Sequence, residues 1–128
     1  MAYYAMQKGR RLPGGTAGVT LAVGDLVYLD SSGQWQKADA DAKGKYPAQG
    51  VVTEAASANE AVEVCDAAVI GGGSGLTAGA TLFLSKTPGA PTESAPSSAF
   101  DCIQAVGYNK SATVMVIDVA PQRYLKPS

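Results

Sequence analysis

The sequence predicts an all-β fold: a compact β-barrel, β-tulip or sandwich of about eight short strands, built from two similar halves and preceded by an extended N-terminal arm. Short runs of alternating apolar and polar residues favour this fold, because alternation is the pattern of a half-buried strand. Turn signals rich in Gly, Pro, Asp and Ser separate these runs at regular spacing. The composition leans on Ala, Gly, Val, Thr and Ser, and periodic helical patterning is hard to find.

A duplicated plan is visible in two stretches that lie 55 residues apart. Residues 21–30, LAVGDLVYLD, are matched by residues 76–85, LTAGATLFLS. Each stretch reads as a turn with a glycine at its tip, Gly24 or Gly79, followed by a strand rich in β-favouring residues. We therefore expect two similar half-domains, with strand exchange between them as a natural way to close the fold.

The chain of 128 residues is divided into three parts. Residues 1–17 are predicted to be an extended arm, because Pro13 and the two glycines that follow it break regular structure and tie the arm loosely to the rest. Residues 18–119 form the barrel-like domain, and residues 120–128 form a C-terminal tail.

Five strands are predicted in the first half and three in the second. They are residues 19–23, 26–29, 34–38, 49–54 and 61–70, and then residues 81–85, 102–106 and 112–119. A turn at residues 30–33 joins the second and third of these runs into a hairpin. A glycine-rich connector at residues 71–75 separates the halves, and a long Pro- and Ser-rich loop occupies residues 86–100.

The residue inventory offers no constellation for catalysis or metal binding. The chain has no histidine, which removes Ser-His-Asp and Cys-His arrangements and the commonest metal ligand. Cys65 and Cys102 lie in predicted strands, where we expect them to be small buried hydrophobic residues. The glycine run at residues 71–75 lacks the Lys-Ser/Thr pair of a phosphate-binding loop and is interpreted as a linker. We predict no enzymatic activity, no cofactor and no metal.

Charge is distributed unevenly along the chain. Residues 1–24 contain three basic residues and no acid, and residues 119–128 contain two basic residues and no acid. The part between them carries eleven acidic and five basic residues, so ends at +5 flank a body at −6. Such a body repels a polyanion, and we expect a protein partner with an acidic, partly apolar surface rather than direct contact with nucleic acid. The predicted partner-binding residues are Tyr3, Tyr4, Met6, Lys8, Arg10 and Arg11 in the arm, with Arg123 and Tyr124 in the tail.

Simpler interpretations of the two ends stay open. The arm could be a frayed terminus or could fold back on its own domain, and the charged ends could serve only solubility. No apolar run approaches the roughly 20 residues that span a bilayer. Basic residues stand where a signal peptide has its apolar segment. We therefore expect no membrane contact and a chain that is made and used in a reducing compartment.

Six short stretches between residues 18 and 119 resemble the small β domains of tailed-bacteriophage head proteins. The relatives in question are capsid decoration (cement) proteins and the capsid-binding domains of head fibres. The stretches are GDLVYLD (24–30), GVVT (50–53), GLTAGATLFLS (75–85), GAPTESAP (89–96), QAVG (104–107) and VMVIDV (114–119).

The resemblance implies a compact β-barrel or β-tulip that sits on the outside of a capsid, frequently as a homotrimer at three-fold or quasi-three-fold positions. It implies the major capsid protein as the partner. It also implies a location on the capsid exterior of the virion, and in the host cytoplasm before assembly. In that family the domain holds neighbouring capsomers together against the internal pressure of packaged DNA.

Two other functions remain as alternatives. A head-fibre or tail-tip module would bind a host receptor or glycan, and Trp35, flanked by Gln34 and Gln36, is the candidate aromatic for such a site. The structural interpretation of Trp35 is a core residue of its strand. The other alternative is a subunit-like module of a larger assembly outside phage, such as a bacterial microcompartment.

Overall fold

The computed structural model describes residues 3–13, 15–96, 101–122 and 124–125. Within these ranges all regular structure is β, which confirms the predicted class, and the ten strands form two antiparallel sheets. The strands are β1 (Tyr4–Lys8), β2 (Leu26–Leu29), β3 (Trp35–Lys37), β4 (Gly50–Glu54), β5 (Glu63–Cys65), β6 (Ala67–Gly71), β7 (Thr81–Leu84), β8 (Pro91–Thr92), β9 (Ala105–Asn109) and β10 (Met115–Asp118). The described part of the chain contains no helix that could cross a membrane.

The strand order repeats between the two halves. One sheet has the order β3-β2-β4-β5, and the other has the order β1-β6-β10-β9-β7-β8. Read from the other edge, the larger sheet begins β8-β7-β9-β10, which corresponds strand for strand to β3-β2-β4-β5 of the smaller one. Strands β2 and β7, and likewise β4 and β9, begin 55 residues apart, which is the offset of the sequence repeat. The duplicated plan therefore holds at the level of strand order, with β6 and β1 of the first half added to the sheet of the second.

The matching turns explain why glycine stands at both tips. Gly24 has φ +94° and Gly79 has φ +82°, a left-handed conformation that L-residues with a Cβ adopt at a cost. The backbone N–H of Gly24 donates to Val52 O at 2.9 Å, and that of Gly79 donates to Asn109 O at 2.8 Å. Each turn is thus fastened to the corresponding strand, β4 in the first half and β9 in the second.

Two predicted strands differ from the structure, one because it is reduced to a single bridge and the other because the chain changes sheets within it. Residues 19–23 are not a strand: Leu21 makes one isolated bridge, to Ala56, ahead of the turn at Gly24, and its side chain is buried in a cluster with Val27 and Val52. The predicted strand 61–70 is divided at Asp66 into β5 of one sheet and β6 of the other. The Asp66 carbonyl accepts the Val119 N–H at 2.9 Å, which fixes the crossing point.

The second half contains further differences, and its last predicted strand, residues 112–119, is shortened to Met115–Asp118. The strand predicted at residues 102–106 begins at Ala105, because Cys102 donates its N–H to Ala40 O at 2.7 Å and Ile103 pairs with Leu125 instead. The predicted loop at residues 86–100 includes the two-residue strand β8, which pairs with β7. Residues 97–100 of that loop lie outside the described residues.

Two hydrophobic clusters bury both faces of the smaller sheet. Leu26 and Val51 point into a cluster shared with the larger sheet, whereas their neighbours Val27 and Val52 point into a second cluster that also contains Leu21. Trp35 belongs to this second cluster and is 3% exposed, so its interpretation as a core residue is confirmed. The larger sheet, in contrast, contributes one face to the shared cluster.

Both cysteines are buried and free, as predicted. Cys65 ends β5, and Cys102 lies just before β9 among residues of the shared cluster. Burial raises the pKa of the Cys102 thiol to about 11. The thiol form therefore predominates at neutral pH, and the side chain acts as a small apolar group.

The N-terminal segment is folded back on its own domain, one of the arrangements considered for it. Strand β1 pairs antiparallel with β6 and forms an edge of the larger sheet. Beyond β1 the chain stays attached: Gly9 N–H donates to Ala67 O at 2.7 Å, and Leu12 N–H donates to Val64 O at 2.8 Å. The expectation of a loosely tied arm is therefore wrong for these residues, because backbone hydrogen bonds hold them along β6 and β5.

Candidate interaction surface

Strand β1 presents exposed apolar side chains at the edge of the larger sheet. Tyr4 is 56% exposed and Met6 is 52% exposed, and Tyr3 just before the strand is also exposed. Met6 sits at a bulge, since the pairing register with β6 shifts between Ala5 and Gln7. The structure therefore places these three predicted residues side by side on one edge.

The two tyrosines also pack on glycines of their own domain. An ideal Cβ at Gly71 would lie 2.6 Å from Tyr4 Cζ, and one at Gly24 would lie 3.0 Å from Tyr3 Cδ2. The rings occupy the space that side chains would otherwise take. Tyr3 and Tyr4 are thereby held in place while one side of each ring remains open to solvent.

The predicted cation Lys8 is paired within the domain. Its Nζ lies 2.7 Å from Glu63 Oε1 and 3.9 Å from Glu54 Oε2, and Thr53 Oγ1 donates to Glu63 Oε1 at 2.7 Å. The hydrogen bond from Lys8, followed by that from Thr53, lowers the pKa of Glu63. The same bond raises the pKa of Lys8. This group of side chains ties the end of β1 to β4 and β5 of the smaller sheet.

The two predicted arginines differ in the contacts that they make with the domain. The Arg10 backbone N–H donates to Asp66 Oδ1 at 2.8 Å, and its Nε lies 3.7 Å from Asp66 Oδ2, but its side chain is 80% exposed. Arg11 forms a backbone bridge with Cys65, is exposed, and makes no ion pair with any residue that the structure describes. Much of the guanidinium charge of this segment thus faces solvent.

The tail residues contact a different part of the domain from β1. Tyr124 packs edge to face on Tyr46, with ring centroids 6.4 Å apart and planes at 61°, and it also contacts the shared hydrophobic cluster. Leu125 pairs with Ile103 and is exposed. The structure therefore gathers Tyr3 to Arg11 along β1 but holds Tyr124 against the loop before β4. The predicted residue Arg123 lies outside the described residues.

Sequence reasoning missed a second surface, the side of the larger sheet that points away from the smaller one, which we call the outer face. Side chains alternate between the two sides of a strand. Ala68, Ile70, Met115 and Ile117 are buried in the shared cluster, so their neighbours on β6 and β10 belong to the outer face. The strand registers align one row across five strands, consisting of Gln7, Val69, Val116, Tyr108 and Thr81. Tyr108, 49% exposed, is the most prominent apolar group of that row.

The signal for this surface was present in the sequence. Residues 67–70 (AAVI) and 115–117 (MVI) are apolar on both sides of the strand, a pattern that indicates burial on both sides. In the smaller sheet the same pattern, at β2 and β4, is satisfied by the two hydrophobic clusters. In β6 and β10 the outer side, with Ala67, Val69 and Val116, is only partly buried by the described residues.

A groove runs along the boundary between β1 and the outer face. It encloses about 290 Å³ and is lined by Gln7 to Gly9, Ala67 to Val69 and Val116 to Asp118. Its lining is aliphatic and backbone apart from the amide side chain of Gln7, one cation, Lys8, and one anion, Asp118. Among the residues described by the structure no group of three or more Cys, Asp or Glu is placed to hold a metal ion. The arrangement is therefore suited to contact with another surface.

The aromatic of the alternative glycan site is not accessible. Trp35 lies in the second hydrophobic cluster, and its polar neighbours make internal bonds: Gln36 Nε2 donates to Asp30 Oδ2, and Gln34 Nε2 donates to Thr16 Oγ1. A sugar ring has no exposed aromatic to stack on at this position. Comparison of the chain with protein-family models, with curated proteins and with solved structures finds no match.

Proposed function

We propose that this protein is a structural virion protein that binds the outer surface of a phage capsid and stabilises the shell, with the major capsid protein as its partner. One observation carries the proposal: strand β1 displays Tyr4 and Met6 on an open sheet edge, and the exposed side chains of Arg10 and Arg11 follow shortly after the strand ends at Lys8. Aromatic residues, Met and Arg are the types enriched in protein interfaces. The sequence resemblance to decoration proteins supplies the capsid as the partner.

Among the described residues, β1 is the longer of the two edges of the larger sheet. The opposite edge of the larger sheet ends in β8, which has two residues and begins with Pro91. The edges of the smaller sheet are bridged by the chain itself, at β3 by Ala17 and at β5 by Arg11. Strand β1 has five residues and no proline, and its outer side pairs with no described strand, so its outward N–H and C=O groups can meet a partner.

The residues of the domain support a structural, binding function in preference to a catalytic one. The chain has no histidine, and the protonated, buried Cys102 is a poor nucleophile. In the proposed assembly the two sheets form the compact barrel- or tulip-like body of a decoration protein, and three copies surround a three-fold position on the capsid exterior. Weak contacts from each copy would then add through a high effective concentration. Direct contact with nucleic acid or membrane is not part of the proposal.

The test is binding to DNA-free, expanded capsids of the phage whose genome encodes the chain. Purified protein is titrated against capsids, and bound protein is quantified after sedimentation. Saturation at a stoichiometry set by the capsid's symmetry supports the proposal, and absence of saturable binding by the wild-type chain overturns it.

Side-chain variants test the role of β1 better than a truncation, because β1 completes the larger sheet. Met6→Ser combined with Arg11→Glu should weaken capsid binding by at least about tenfold, the usual effect of removing interface anchors. Lys43→Glu is the matched control, since it reverses an exposed charge in the loop between β3 and β4. Equal loss in both variants would show that net charge, and not the β1 edge, governs binding.

A further inference from the structure

We propose that a cleft beside Arg11 is a docking site for an acidic, aliphatic segment of the protein partner, in which an Asp or Glu side chain is adjacent to an aliphatic one. The inference rests on the proposed function for the identity of the partner and deepens it, because it adds a contact away from the β1 edge and states the chemistry that this contact recognises. The cleft encloses about 470 Å³ and is lined by Arg11, Leu12, Pro13, Gly15, Ala61 and Val62. Its volume lies within the roughly 300–1,000 Å³ that is typical of ligand pockets.

The cleft lies where the N-terminal segment runs antiparallel to the chain that leads into β5. At one end of the cleft the Leu12 N–H donates to Val64 O at 2.8 Å. At the other end Thr16 forms an antiparallel bridge with Ala61. Backbone contacts at both ends therefore hold the cleft in shape in the absence of a partner.

Packing against the hairpin of β2 and β3 fixes the wall of the cleft at Gly15. A Cβ at Gly15 would overlap the Gly33 carbonyl oxygen, so the chain there lies in direct contact with the turn between these two strands. Next to Gly15, the Thr16 carbonyl accepts the Trp35 N–H at 2.9 Å. The domain thus sets the position of this wall, and little conformational entropy is lost in ordering it when a partner binds.

The lining of the cleft is aliphatic and backbone apart from one charged side chain. Val62 is buried and belongs to the second hydrophobic cluster, and Leu12 is half-buried and packs against that cluster. Pro13 and Ala61 are exposed beside them. An aliphatic side chain of a partner fits this lining, because covering Leu12 and Pro13 removes further apolar surface from water.

The charged side chain of the lining is the guanidinium of Arg11. It is exposed and makes no ion pair with any residue that the structure describes. The acids of the facing chain have partners of their own: Glu63 is paired with Lys8, and the Glu60 carboxylate accepts the Ser57 N–H at 3.1 Å. A carboxylate from the partner is the complementary group, because the planar guanidinium can donate to both carboxylate oxygens at once.

An acidic protein segment fits this cleft better than the phosphate backbone of a nucleic acid. Residues 1–24 contain no acid, so this part of the chain does not repel a single carboxylate. A phosphate would meet one cation and leave the aliphatic lining unused. A polyanion would also face the eleven acids and five bases of residues 25–118. The occupant that uses both the charge and the aliphatic lining is a carboxylate beside an aliphatic side chain.

The experiment is a titration of the isotope-labelled full chain with short peptides, followed by the amide signals in nuclear magnetic resonance. The probe is acetyl-Leu-Glu-Leu-amide, and acetyl-Leu-Gln-Leu-amide is its neutral match. We expect saturable shifts at Leu12, Ala61 and Val62 with a dissociation constant of roughly 1–10 mM, because a short peptide buries little surface. The neutral peptide should bind about threefold more weakly, which is the usual effect of losing an exposed ion pair.

Two arginine variants test the role of the charge. Arg11→Gln should remove the preference for the acidic peptide and leave the weaker affinity for the neutral one. Arg10→Gln is the matched control, because it deletes the neighbouring exposed guanidinium, which lies outside the lining, and it should keep the preference. Amide signals that are unchanged in the rest of the domain show that both variants are folded.

Several outcomes overturn the inference. They are the absence of saturable shifts at about 20 mM acidic peptide, equal affinity for the two peptides, and a preference that survives Arg11→Gln. Inorganic phosphate that shifts the same amides at lower concentration would show a simple anion site instead. A peptide whose one carboxylate is its C terminus, if it binds more tightly than the probe, would show a site for chain ends.

The capsid titration separates this inference from the proposed function. Capsids that bind wild-type protein and Arg11→Gln alike, together with peptides that do not bind, leave the proposed function standing without this cleft. Peptides that bind as expected, together with wild-type protein that does not bind capsids, leave the cleft standing with a different acidic partner.

Discussion

Gln104 is the buried polar side chain that joins the two halves of the domain, and its loss should be costly. The residue is fully buried just before β9. Its Oε1 accepts the Ala48 N–H at 2.8 Å, and its Nε2 donates to the Ala48 carbonyl at 3.0 Å and to the Ala120 carbonyl at 3.4 Å. One side-chain amide thus satisfies both backbone groups of Ala48, which is itself fully buried before β4.

The substitution Gln104→Leu removes these bonds while keeping a side chain of similar size. It leaves the N–H and C=O of Ala48 without partners in the interior, at about 1–3 kcal/mol each. The extra apolar surface of leucine offsets about 1 kcal/mol of this. We expect a net loss of about 3 kcal/mol in the free energy of unfolding, a large fraction of the roughly 5–15 kcal/mol typical of a domain.

The assay is equilibrium urea unfolding, in which such a loss lowers the midpoint by about 1–3 M with an unchanged slope. Gln49→Leu is the matched control, because Gln49 stands 55 residues earlier at the corresponding position of the first half. Gln49 is half-buried, and its Oε1 accepts the Leu29 N–H at 3.0 Å, so its replacement should cost only about 1 kcal/mol. Equal losses in the two variants would refute the reasoning, since they would mean that water or relaxation satisfies Ala48.

Three further outcomes follow from the geometry. The lowered pKa of Glu63 means that its ion pair with Lys8 contributes fully above the carboxyl's ordinary value of 4.5 and is lost as pH falls through the lower folded value. The raised pKa of Lys8 leaves the pair intact up to about its ordinary value of 10.5. Hydrogen-exchange rates of the β1 amides, corrected for the intrinsic pH dependence of exchange and compared with those of β4, should therefore rise below pH 4.5 in wild type. An equal rise in Lys8→Met would count against the Lys8–Glu63 pair as the cause. Cys102, buried and with its pKa raised to about 11, should resist a thiol reagent at pH 8 until urea unfolds the chain, and rapid labelling of the native protein would contradict that burial. Finally, Gly107→Ala should destabilise the protein by more than about 2 kcal/mol in urea unfolding, because the added Cβ meets the backbone of β10. Gly75→Ala is the control: its Cβ meets open space and only the positive φ opposes it, so it should cost about 1 kcal/mol. Equal costs would mean that β9 and β10 separate without penalty.

The elements that sequence predicted correctly are those specified by neighbouring residues. The hairpin of β2 and β3 is defined by a turn signal between two apolar runs, and the pairing is observed as expected. The glycine tips at Gly24 and Gly79 follow from a backbone conformation that is set within four residues. The burial of Trp35 and of both cysteines follows from their side chains alone.

The partner-binding prediction was harder to place because a side chain's neighbours in space are not its neighbours in sequence. Lys8 and Arg10 were expected to face a partner, yet both have acids of the domain beside them, at Glu63 and Asp66. The acids lie more than 50 positions further along the chain. Alternation and net charge cannot reveal such a pairing, because neither says which residues distant in sequence meet in the fold.

The amino-acid sequence by itself determined the β class, the duplicated strand plan with its glycine turns, and the absence of histidine chemistry, because each depends on residue type and short spacing. Only the tertiary structure decided that residues 4–8 complete a sheet, that the chain changes sheets at Asp66, and which apolar side of β6 and β10 is only partly buried. The physical reason is that a strand's hydrogen bonds and its buried face are supplied by segments distant in sequence. The same alternating residues can serve an edge, an interior or an interface, and the strand that lies beside them determines which.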